Sequence, residues 1–447
     1  MSSRLFGTDG IRGTANIYPM TCDLVQKFGM AAGHYFKRGG HRNRVIIAKD
    51  TRLSGYMLEP ALVSGFIAAG MDVIMVGPMP TPSVSFLIKS LRADLGVMIS
   101  ASHNPYQDNG LKLFGPDGQK LNDSVEDELE NIILTGDFNK MSVSPELLGR
   151  AKRLDDAPGR YIEHVKRSFP KGTELSGLRI VIDCANGAAY NLAPTIFWEL
   201  GAEVIKLGVN PDGVNINQLC GSTHPEAMIS RVIETRADIG IALDGDADRV
   251  LICDEKGQVV HGDHLIAMIA AKMLKENHLN EKAIVVTQMS NGALDEYMGL
   301  LGIKVHRSLV GDRYVAEKMR EEGVSFGGEQ SGHIILSHYS HTGDGIVAAL
   351  QVLSLLVESK KKLSSICRPF ELQPQVNKSI KFSEKNPLEV TEISNSIESL
   401  IDQYSKDCRV LIRKSGTEKL IRILVEGKDK SKIEELAKKI SGIITLG

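Results

Sequence analysis

Short apolar runs recur along most of this chain, and segments with helical periodicity separate them. The runs are Val45–Ala48, Val73–Val76, Leu95–Ile99, Ile180–Ile182, Val204–Leu207, Ile239–Leu243 and Ile284–Val286. Runs of this length and composition are typical of buried β-strands. Between them, residues such as Leu24, Phe28 and Ala31 recur at the spacing that places side chains on one face of a helix. Strands that alternate with helices predict parallel or mixed sheets, covered by helices on both sides.

The length of the chain and a faint internal similarity indicate several domains. A chain of 447 residues is too long for one hydrophobic core. Three of the predicted strands end in similar polar segments, at Lys49–Arg52, Asp183–Gly187 and Gln288–Gly292. This similarity favours three related α/β domains.

The pattern changes after residue 367. Two short apolar runs, Arg409–Ile412 and Leu420–Leu424, flank a turn, and a helical pattern covers 429–443. The sequence therefore predicts three related mixed-sheet α/β domains and a smaller C-terminal α+β domain around a central cleft. The predicted domain limits are 1–153, 154–255, 256–367 and 368–447.

An acidic loop follows the predicted strand Ile239–Leu243. It reads Asp244-Gly-Asp-Ala-Asp-Arg249 and brings three carboxylates into one short segment. Carboxylates a few ångströms apart repel one another by several kcal/mol at an effective dielectric constant of about 20. Ligand sets made only of oxygen suit Mg²⁺ or Ca²⁺ rather than zinc. The loop therefore predicts a metal site at the end of a strand.

Other interpretations of the acidic loop differ in what they require of its surroundings. An EF-hand loop has glycine at its sixth position and helices on both sides, whereas this loop has Arg249 there and apparent strands on both sides. Two further interpretations of the loop are a solvated acidic turn and part of a non-catalytic calcium-binding scaffold. An aspartyl-nucleophile phosphatase would carry its phosphate on Asp244. This interpretation weakens if another residue of the chain can carry the phosphate.

Ser102 is the candidate for such a second phosphate carrier. The segment Ser100-Ala-Ser-His-Asn-Pro105 follows the predicted strand Leu95–Ile99. A hydroxyl fixed on a loop at a strand end is well placed to act as a nucleophile or phosphate carrier. The same residue types also form ordinary turns and helix caps. Lys112 lies close by in sequence, where it is either a general acid/base, if its pKa is lowered, or an ordinary surface lysine.

Composition argues against several classes of protein. The net charge of −2 gives no basic field for nucleic acid. The six cysteines lack C-x-x-C spacing, which argues against a zinc site or a disulfide framework and fits the reducing cytoplasm. The N-terminal residues lack the apolar stretch of a secretory signal. The apolar segment Ile346–Val357 is too short to span a bilayer and predicts a buried helix.

Five motifs occur in a fixed order along the whole chain. They are Gly7–Gly13 (GTDGIRG), Ser100–Pro105 (SASHNP), Asp244–Arg249 (DGDADR), Gly328–His333 (GEQSGH) and Arg413–Glu418 (RKSGTE). In this order and at these spacings the chain resembles the α-D-phosphohexomutase family. The resemblance implies that Ser102 is a phosphoserine and that its phosphate, with Asp244, Asp246 and Asp248, holds one Mg²⁺ per active site.

The resemblance also implies roles for the residues around the phosphoserine. Arg12 and Arg249 would offset charge on the transferring phosphoryl group, and Lys112 or His103 would handle the proton, with Lys112 favoured. The implied substrate contacts come from the last two motifs and the strand that follows them. They are Glu329, Ser331, His333, Arg413, Ser415, Gly416, Thr417 and Arg422.

The implied activity is an isomerase reaction on an amino sugar. It would interconvert glucosamine 6-phosphate and glucosamine 1-phosphate through a 1,6-bisphosphate, feeding UDP-N-acetylglucosamine and cell-wall precursor synthesis. Glucosamine 1,6-bisphosphate or glucose 1,6-bisphosphate would be the activator. Phosphoglucomutase or phosphomannomutase activity is the alternative with the same mechanism. The expected partner is a small sugar phosphate, and neither nucleic acid nor a membrane is expected to bind. The enzyme is expected in the cytoplasm, and a homodimer is one possible assembly.

Overall fold

Four sheets organise the chain, one after another. The computed structural model of the protein describes residues 4–7, 9–383, 386–405, 407–414 and 419–446. Within these ranges the strands form sheets of seven, five, four and three strands. We call each sheet with its helices the first, second, third and fourth unit. The predicted order, three larger α/β units followed by a smaller C-terminal α+β unit, is confirmed.

The first unit has a mixed sheet. Its strands are β1 (Phe6–Gly7), β2 (Gly10–Thr14), β3 (Arg44–Lys49), β4 (Asp72–Pro78), β5 (Leu95–Ile99), β6 (Asp108–Phe114) and β7 (Ala151–Arg153). Its helices are α1 (Cys22–Tyr35), α2 (Gly55–Ala68), α3 (Thr81–Leu91), α4 (Asp123–Thr135) and α5 (Phe138–Met141). Strands β3, β4, β5 and β7 run parallel, and β6, β2 and β1 continue the sheet in antiparallel pairings. The residues before and after Ser102 therefore lie on two neighbouring strands, β5 and β6.

The second unit places the acidic loop at the end of its central strand. Its helices are α6 (Ala157–Lys166), α7 (Leu192–Glu199) and α8 (Glu226–Thr235), and its strands are β8 (Arg179–Asp183), β9 (Glu203–Leu207), β10 (Ile239–Leu243), β11 (Val250–Asp254) and β12 (Val259–Val260). Strand β10 is buried along its whole length, pairs in parallel with β8 and turns through the acidic loop into antiparallel β11. Since β12 pairs with β11, this sheet continues past the predicted limit at residue 255.

The third unit follows the same plan. Its helices are α9 (Gly262–Lys275), α10 (Gly292–Leu300), α11 (Asp312–Glu321) and α12 (Gly345–Ser359), and its strands are β13 (Ala283–Thr287), β14 (Lys304–Ser308), β15 (Phe326–Gly328) and β16 (Ile334–Leu336). The predicted buried helix at Ile346–Val357 is α12, and most of its side chains are buried. Among the residues described, no helix is both long enough and apolar enough to cross a bilayer.

The fourth unit is an antiparallel sheet packed on helices. Its strands are β17 (Gln375–Lys381), β18 (Cys408–Lys414) and β19 (Leu420–Gly427), and its helices are α13 (Thr391–Tyr404) and α14 (Lys430–Leu446). Strand β19 lies in the middle of the sheet. The flanking strands and the final helix that the sequence predicts are therefore confirmed.

Hydrophobic packing joins the first three units and leaves the fourth separate. One continuous cluster contains Val76 of the first unit, Ile180 of the second and Ile284 of the third. Most of the buried apolar side chains described in the fourth unit form a cluster of their own, although Leu424 lies outside it. Hydrogen bonds connect it to the third unit: Arg409 donates to the carbonyl oxygens of Gln288 and Ser290 at 2.6 and 2.7 Å. The first three units are thus one packed body to which the fourth is docked.

Asp344 begins helix α12 with a buried carboxylate. Its Oδ1 accepts hydrogen bonds from the backbone N–H groups of Ile346 and Val347, and its Oδ2 accepts one from the Tyr161 hydroxyl of the second unit at 2.7 Å. Burial raises the pKa of Asp344 to about 6. Because the unfolded carboxyl titrates near pH ~4, the folded state loses stability as the pH rises from about 4 to 6.

We expect Asp344→Asn to raise the free energy of unfolding at pH 8 by up to about 3 kcal/mol, since asparagine keeps the cap without the buried charge. The gain should shrink toward pH 5, where the native carboxyl is largely protonated. Thermal unfolding of both proteins at pH 5 and pH 8 measures the effect. The control is Asp429→Asn, which changes an exposed aspartate that accepts from the Ser431 and Lys432 N–H groups at the start of α14. An equal gain at both pH values would contradict the expectation.

Candidate active site

Ser102 lies in the loop between β5 and β6 and faces the second unit. Its side chain is buried, and its φ of 52° is left-handed, which is uncommon for a residue other than glycine. The Ser102 hydroxyl donates a hydrogen bond to Asp244 Oδ2 at 2.6 Å. The two motifs that the sequence places 142 positions apart are therefore in direct contact.

The topology explains why these two loops meet. The serine loop leaves the carboxyl end of β5 and the acidic loop leaves the carboxyl end of β10, the ends at which α/β sheets hold their ligands. Gly245 permits the close approach, because a Cβ atom on it would lie 2.5 Å from the Ser102 carbonyl oxygen. Thr81 at the start of α3 also holds the acidic loop, since its N–H donates to the Asp246 carbonyl oxygen at 2.9 Å.

The three aspartates form a compact buried group. Asp244, Asp246 and Asp248 are almost fully buried and each offers a carboxylate oxygen within 4.8 Å of the others. Burial, together with the two neighbouring carboxylates, raises the pKa of Asp244 well above its usual range. Oδ1 of Asp246 and Oδ1 of Asp248 have no hydrogen-bond partner among the described residues. Unpaired buried carboxylate oxygens in such a group fit a hard divalent cation.

Lys112 reaches this group from strand β6. Its ammonium lies 2.7 Å from Asp246 Oδ2, 3.1 Å from Asp248 Oδ2 and 3.2 Å from Asp9 Oδ2. Burial alone would lower the pKa of Lys112, but these carboxylates outweigh it and hold the pKa well above its usual value. Lys112 is thus a buried cation between the first two units and not a surface lysine.

Asp9 is a site residue that the sequence reasoning missed. It pairs with Arg12, Lys112 and Lys120, and Lys120 continues the chain of charges to Asp312 of the third unit. Burial would raise the pKa of Asp9, but the three cations hold it well below its usual range. The signal that could have found it is its place in the Gly7–Gly13 motif.

His103 and two arginines surround the serine. His103 Nδ1 lies 3.4 Å from Ser102 Oγ, and burial, then the charges of Arg249 and Arg12, lower the pKa of His103 to about 4. Arg249 donates its backbone N–H to Asp244 Oδ1 at 3.2 Å. The Nε atoms of Arg12 and Arg249 are buried and have no acceptor in the part of the chain that is described. Such unpaired donors fit an anionic group.

The third unit contributes the loop between β15 and β16. His333 is buried with Nδ1 3.8 Å from Asp248 Oδ1, and its backbone pairs with Arg249. Glu329 accepts the Gly311 N–H at 3.1 Å and the Ser331 hydroxyl at 3.4 Å. The predicted sugar-binding residues are therefore beside the acidic loop.

The fourth unit brings two arginines opposite each other. Arg413 on β18 faces Arg422 on β19 in register. Burial and the charge of Arg422 lower the pKa of Arg413, against the opposing charge of Glu329. Arg413 Nε is buried with no acceptor among the residues described. Two adjacent guanidinium groups suit a dianionic phosphate. The remaining predicted contacts there, Ser415, Gly416 and Thr417, lie outside the described residues.

Family models match the chain from end to end. Residues 3–140, 159–257 and 261–372 match the models described as phosphoglucomutase/phosphomannomutase alpha/beta/alpha domains I, II and III. Residues 376–443 match the model of the C-terminal domain of the same proteins.

Similar proteins and structures agree with these matches. A phosphoglucosamine mutase of Sinorhizobium medicae is 54% identical over 444 residues, covering 99% of this chain and 98% of that protein. One from Granulibacter bethesdensis is 54% identical, covering 99% and 97%. A phosphoglucomutase/phosphomannomutase family structure from Burkholderia thailandensis has a TM-score of 0.82 at 24% identity, covering 100% of this chain and 98% of that one. N-acetylphosphoglucosamine mutase of Aspergillus fumigatus, solved with GlcNAc-6P and magnesium, has a TM-score of 0.66 at 19% identity, covering 98% and 95%.

Proposed function

This chain belongs to the phosphoglucomutase/phosphomannomutase family, and we propose that it interconverts glucosamine 6-phosphate and glucosamine 1-phosphate. It is an isomerase that moves a phosphoryl group within one sugar phosphate, and its similar proteins are named phosphoglucosamine mutase. The observation that carries the proposal is the Ser102 hydroxyl 2.6 Å from Asp244, inside a group of three buried carboxylates.

The residues present fit a magnesium ion. Asp244, Asp246 and Asp248 would hold it together with the phosphate on Ser102, because carboxylate and phosphate oxygens are the ligands that Mg²⁺ prefers. A bound Mg²⁺ would withdraw electron density from the phosphoserine oxygen and make serine a better leaving group. This donor set agrees with the magnesium found with the Aspergillus fumigatus relative.

Ser102 carries the phosphoryl group through both halves of the proposed reaction. In the first half the Oγ–P bond breaks, phosphorus bonds to the 1-hydroxyl oxygen of glucosamine 6-phosphate, and the hydroxyl proton goes to a base. The resulting 1,6-bisphosphate turns around in the site, its O6–P bond breaks as phosphorus bonds to Ser102 Oγ, and the base gives the proton to O6. His103 lies beside this path, and because its pKa is lowered it is neutral near pH 7 and is the candidate for accepting the proton. The sequence favours Lys112 for this role, but its raised pKa keeps the ammonium protonated, so Lys112 would act there as a fixed cation.

The other charged residues bind and orient. Arg12 and Arg249 present buried unpaired N–H groups near Ser102 and would stabilise negative charge on the transferring group. Arg413 and Arg422 would bind the phosphate that is not being transferred. Glu329, Ser331 and His333 would contact the sugar hydroxyls from the third unit. Ser415, Gly416 and Thr417 complete the proposed phosphate contacts.

The activator, the domain limits and the cellular location are part of the same proposal. The activator would be glucosamine 1,6-bisphosphate or glucose 1,6-bisphosphate, in agreement with the glucose 1,6-bisphosphate bound to an Aspergillus fumigatus relative. The proposed domain limits are 1–153, 154–255, 256–367 and 368–447, with strand β12 at the start of the third segment completing the sheet of the second. The proposed location is the cytoplasm.

A product assay tests the proposed function. With Mg²⁺ and a catalytic amount of bisphosphate, we expect glucosamine 6-phosphate to be converted to glucosamine 1-phosphate faster than glucose or mannose 6-phosphate is isomerised. Preference for glucose or mannose phosphate would instead indicate phosphoglucomutase or phosphomannomutase activity. Peptide mapping of the labelled enzyme provides the second readout. Phosphate on Ser102 supports the mutase, whereas phosphate on Asp244 with release of free phosphate would establish the aspartyl phosphatase.

A further inference from the structure

Arg52 is a fully buried arginine for which the proposed reaction has no role. It follows strand β3, and among the residues described its guanidinium donates to groups of the first unit. Nε donates to Asp50 Oδ2 at 2.7 Å, and Nη2 donates to the carbonyl oxygens of Ser102 and Asn104 at 3.0 and 2.9 Å. Nη1 donates to the carbonyl oxygens of Asp108, at 3.0 Å, and Pro105. One side chain thus holds most of the turn between β5 and β6.

Asn217 reaches the same carbonyl oxygens from the second unit. Its Nδ2 donates to the Ser102 carbonyl oxygen at 2.9 Å and to the Asn104 carbonyl oxygen at 3.0 Å. It is buried and has a left-handed φ of 57°. The Ser102 carbonyl group therefore receives a charged donor from its own unit and an amide donor from the unit that bears the aspartates.

The backbone N–H of Ser102 is fixed as well. It donates to Ser100 Oγ at 3.0 Å, and the Ser100 hydroxyl donates to Asp50 Oδ2 at 2.6 Å, the same oxygen that accepts from Arg52. Both polar groups of the Ser102 peptide are thus tied to one buried network. The left-handed conformation of Ser102 is unfavourable for a residue with a side chain, so it persists because surrounding contacts determine it.

We propose that Arg52 and Asn217 are positioning residues that hold Ser102 in its left-handed conformation and so aim its Oγ at the aspartates. Without these donors the turn would relax toward an ordinary conformation and carry Oγ away from Asp244. The inference rests on the proposed function, because it concerns how the phosphate carrier is oriented. It assigns neither residue a contact with substrate.

Asn217→Gly tests the proposal with little risk to folding. Glycine adopts the left-handed φ without strain and removes the side chain that carries the amide. The matched control is Asn277→Gly, since Asn277 has a φ of 58° but is exposed and lies in the third unit. We expect Asn217→Gly to lower kcat by at least about 10-fold with KM for the sugar phosphate within about 2-fold, because a small misplacement of a reacting group slows chemistry more than binding. Asn277→Gly should keep wild-type kcat.

Arg52→Lys provides the second variant. Lysine keeps the positive charge but cannot donate to several carbonyl groups in a fixed fork, so we expect a kcat loss of about 100-fold. The rate at which glucose 1,6-bisphosphate phosphorylates Ser102, followed by intact mass, should fall in parallel for both variants. If Arg52→Lys does not fold, Asn217→Gly decides the matter alone.

Two results would overturn the proposal: wild-type kcat and phosphorylation rate in Asn217→Gly, or a loss expressed in KM alone. Failure of the proposed function looks different. In that case the wild-type protein itself would fail to isomerise glucosamine phosphate, or would prefer glucose or mannose phosphate, whatever the behaviour of the variants.

Discussion

Ser102→Ala should lower mutase turnover by roughly 10⁴-fold or more, the scale on which enzymes respond to removal of their nucleophile. The reason is chemical, because alanine has no oxygen to carry the phosphoryl group between the two positions of the sugar. Binding of the sugar phosphate should change little, since the proposed contacts with the non-transferring phosphate and the sugar lie in the third and fourth units. Turnover, KM and intact mass measured on the same preparations test all three statements.

The control for this variant is Ser354→Ala. Ser354 is also a buried serine, but it lies in helix α12, where its hydroxyl donates to the Gln351 carbonyl oxygen at 2.8 Å. The Ser354→Ala variant should have the turnover and the phosphate content of the wild-type protein. Substantial turnover by Ser102→Ala, or phosphate still present on that protein after incubation with bisphosphate, would place the phosphate carrier elsewhere and refute the proposed mechanism.

Removal of divalent cations should abolish turnover, and Mg²⁺ should restore it. The buried carboxylates of Asp244, Asp246 and Asp248 are close enough to repel one another, so a bound cation would both neutralise the site and activate the proposed phosphoserine. We expect Asp246→Asn to weaken Mg²⁺ binding, measured by calorimetry, by about 10-fold or more and to lower kcat by about 100-fold.

Asp238→Asn is the matched control for the metal prediction. Asp238 precedes the same strand β10 at its opposite end, where it accepts a hydrogen bond from the Arg179 N–H at 2.8 Å. This variant should bind Mg²⁺ as the wild-type protein does. Full turnover by protein stripped of metal, or unchanged Mg²⁺ affinity in Asp246→Asn, would exclude a magnesium site at the acidic loop.

The order of elements was predictable because the strands of this chain are short, apolar and buried. Ile239–Leu243 is buried at every position, and a run of that kind has few alternatives to a central strand. Strands β1 and β12 were not predicted, since they contain two residues each and owe their pairing to neighbours in the sheet. Strand β2 was missed because its sequence, GIRGT, contains one large apolar residue.

Site residues that lie in sequence motifs could be predicted, whereas residues that act through contacts with segments distant in sequence could not. Ser102 and the aspartates each stand in a recognisable loop. Arg52 and Asn217 stand in polar segments without a distinctive pattern, and their importance comes from carbonyl groups of a turn that lies far away in sequence. Such long-range hydrogen bonds have no periodic signature, so they emerge only when the loops are placed together.

The separate core of the fourth unit has a consequence for local stability. The free energy that keeps β17, β18 and β19 folded comes from their own cluster, and little of it is shared with the rest of the chain. Because hydrogen bonds such as those of Arg409 hold it to the third unit, we expect this unit to open more readily than the body that carries Ser102 unfolds. The two arginines of its phosphate site would then determine how long a sugar phosphate stays bound, without altering the geometry that performs the transfer.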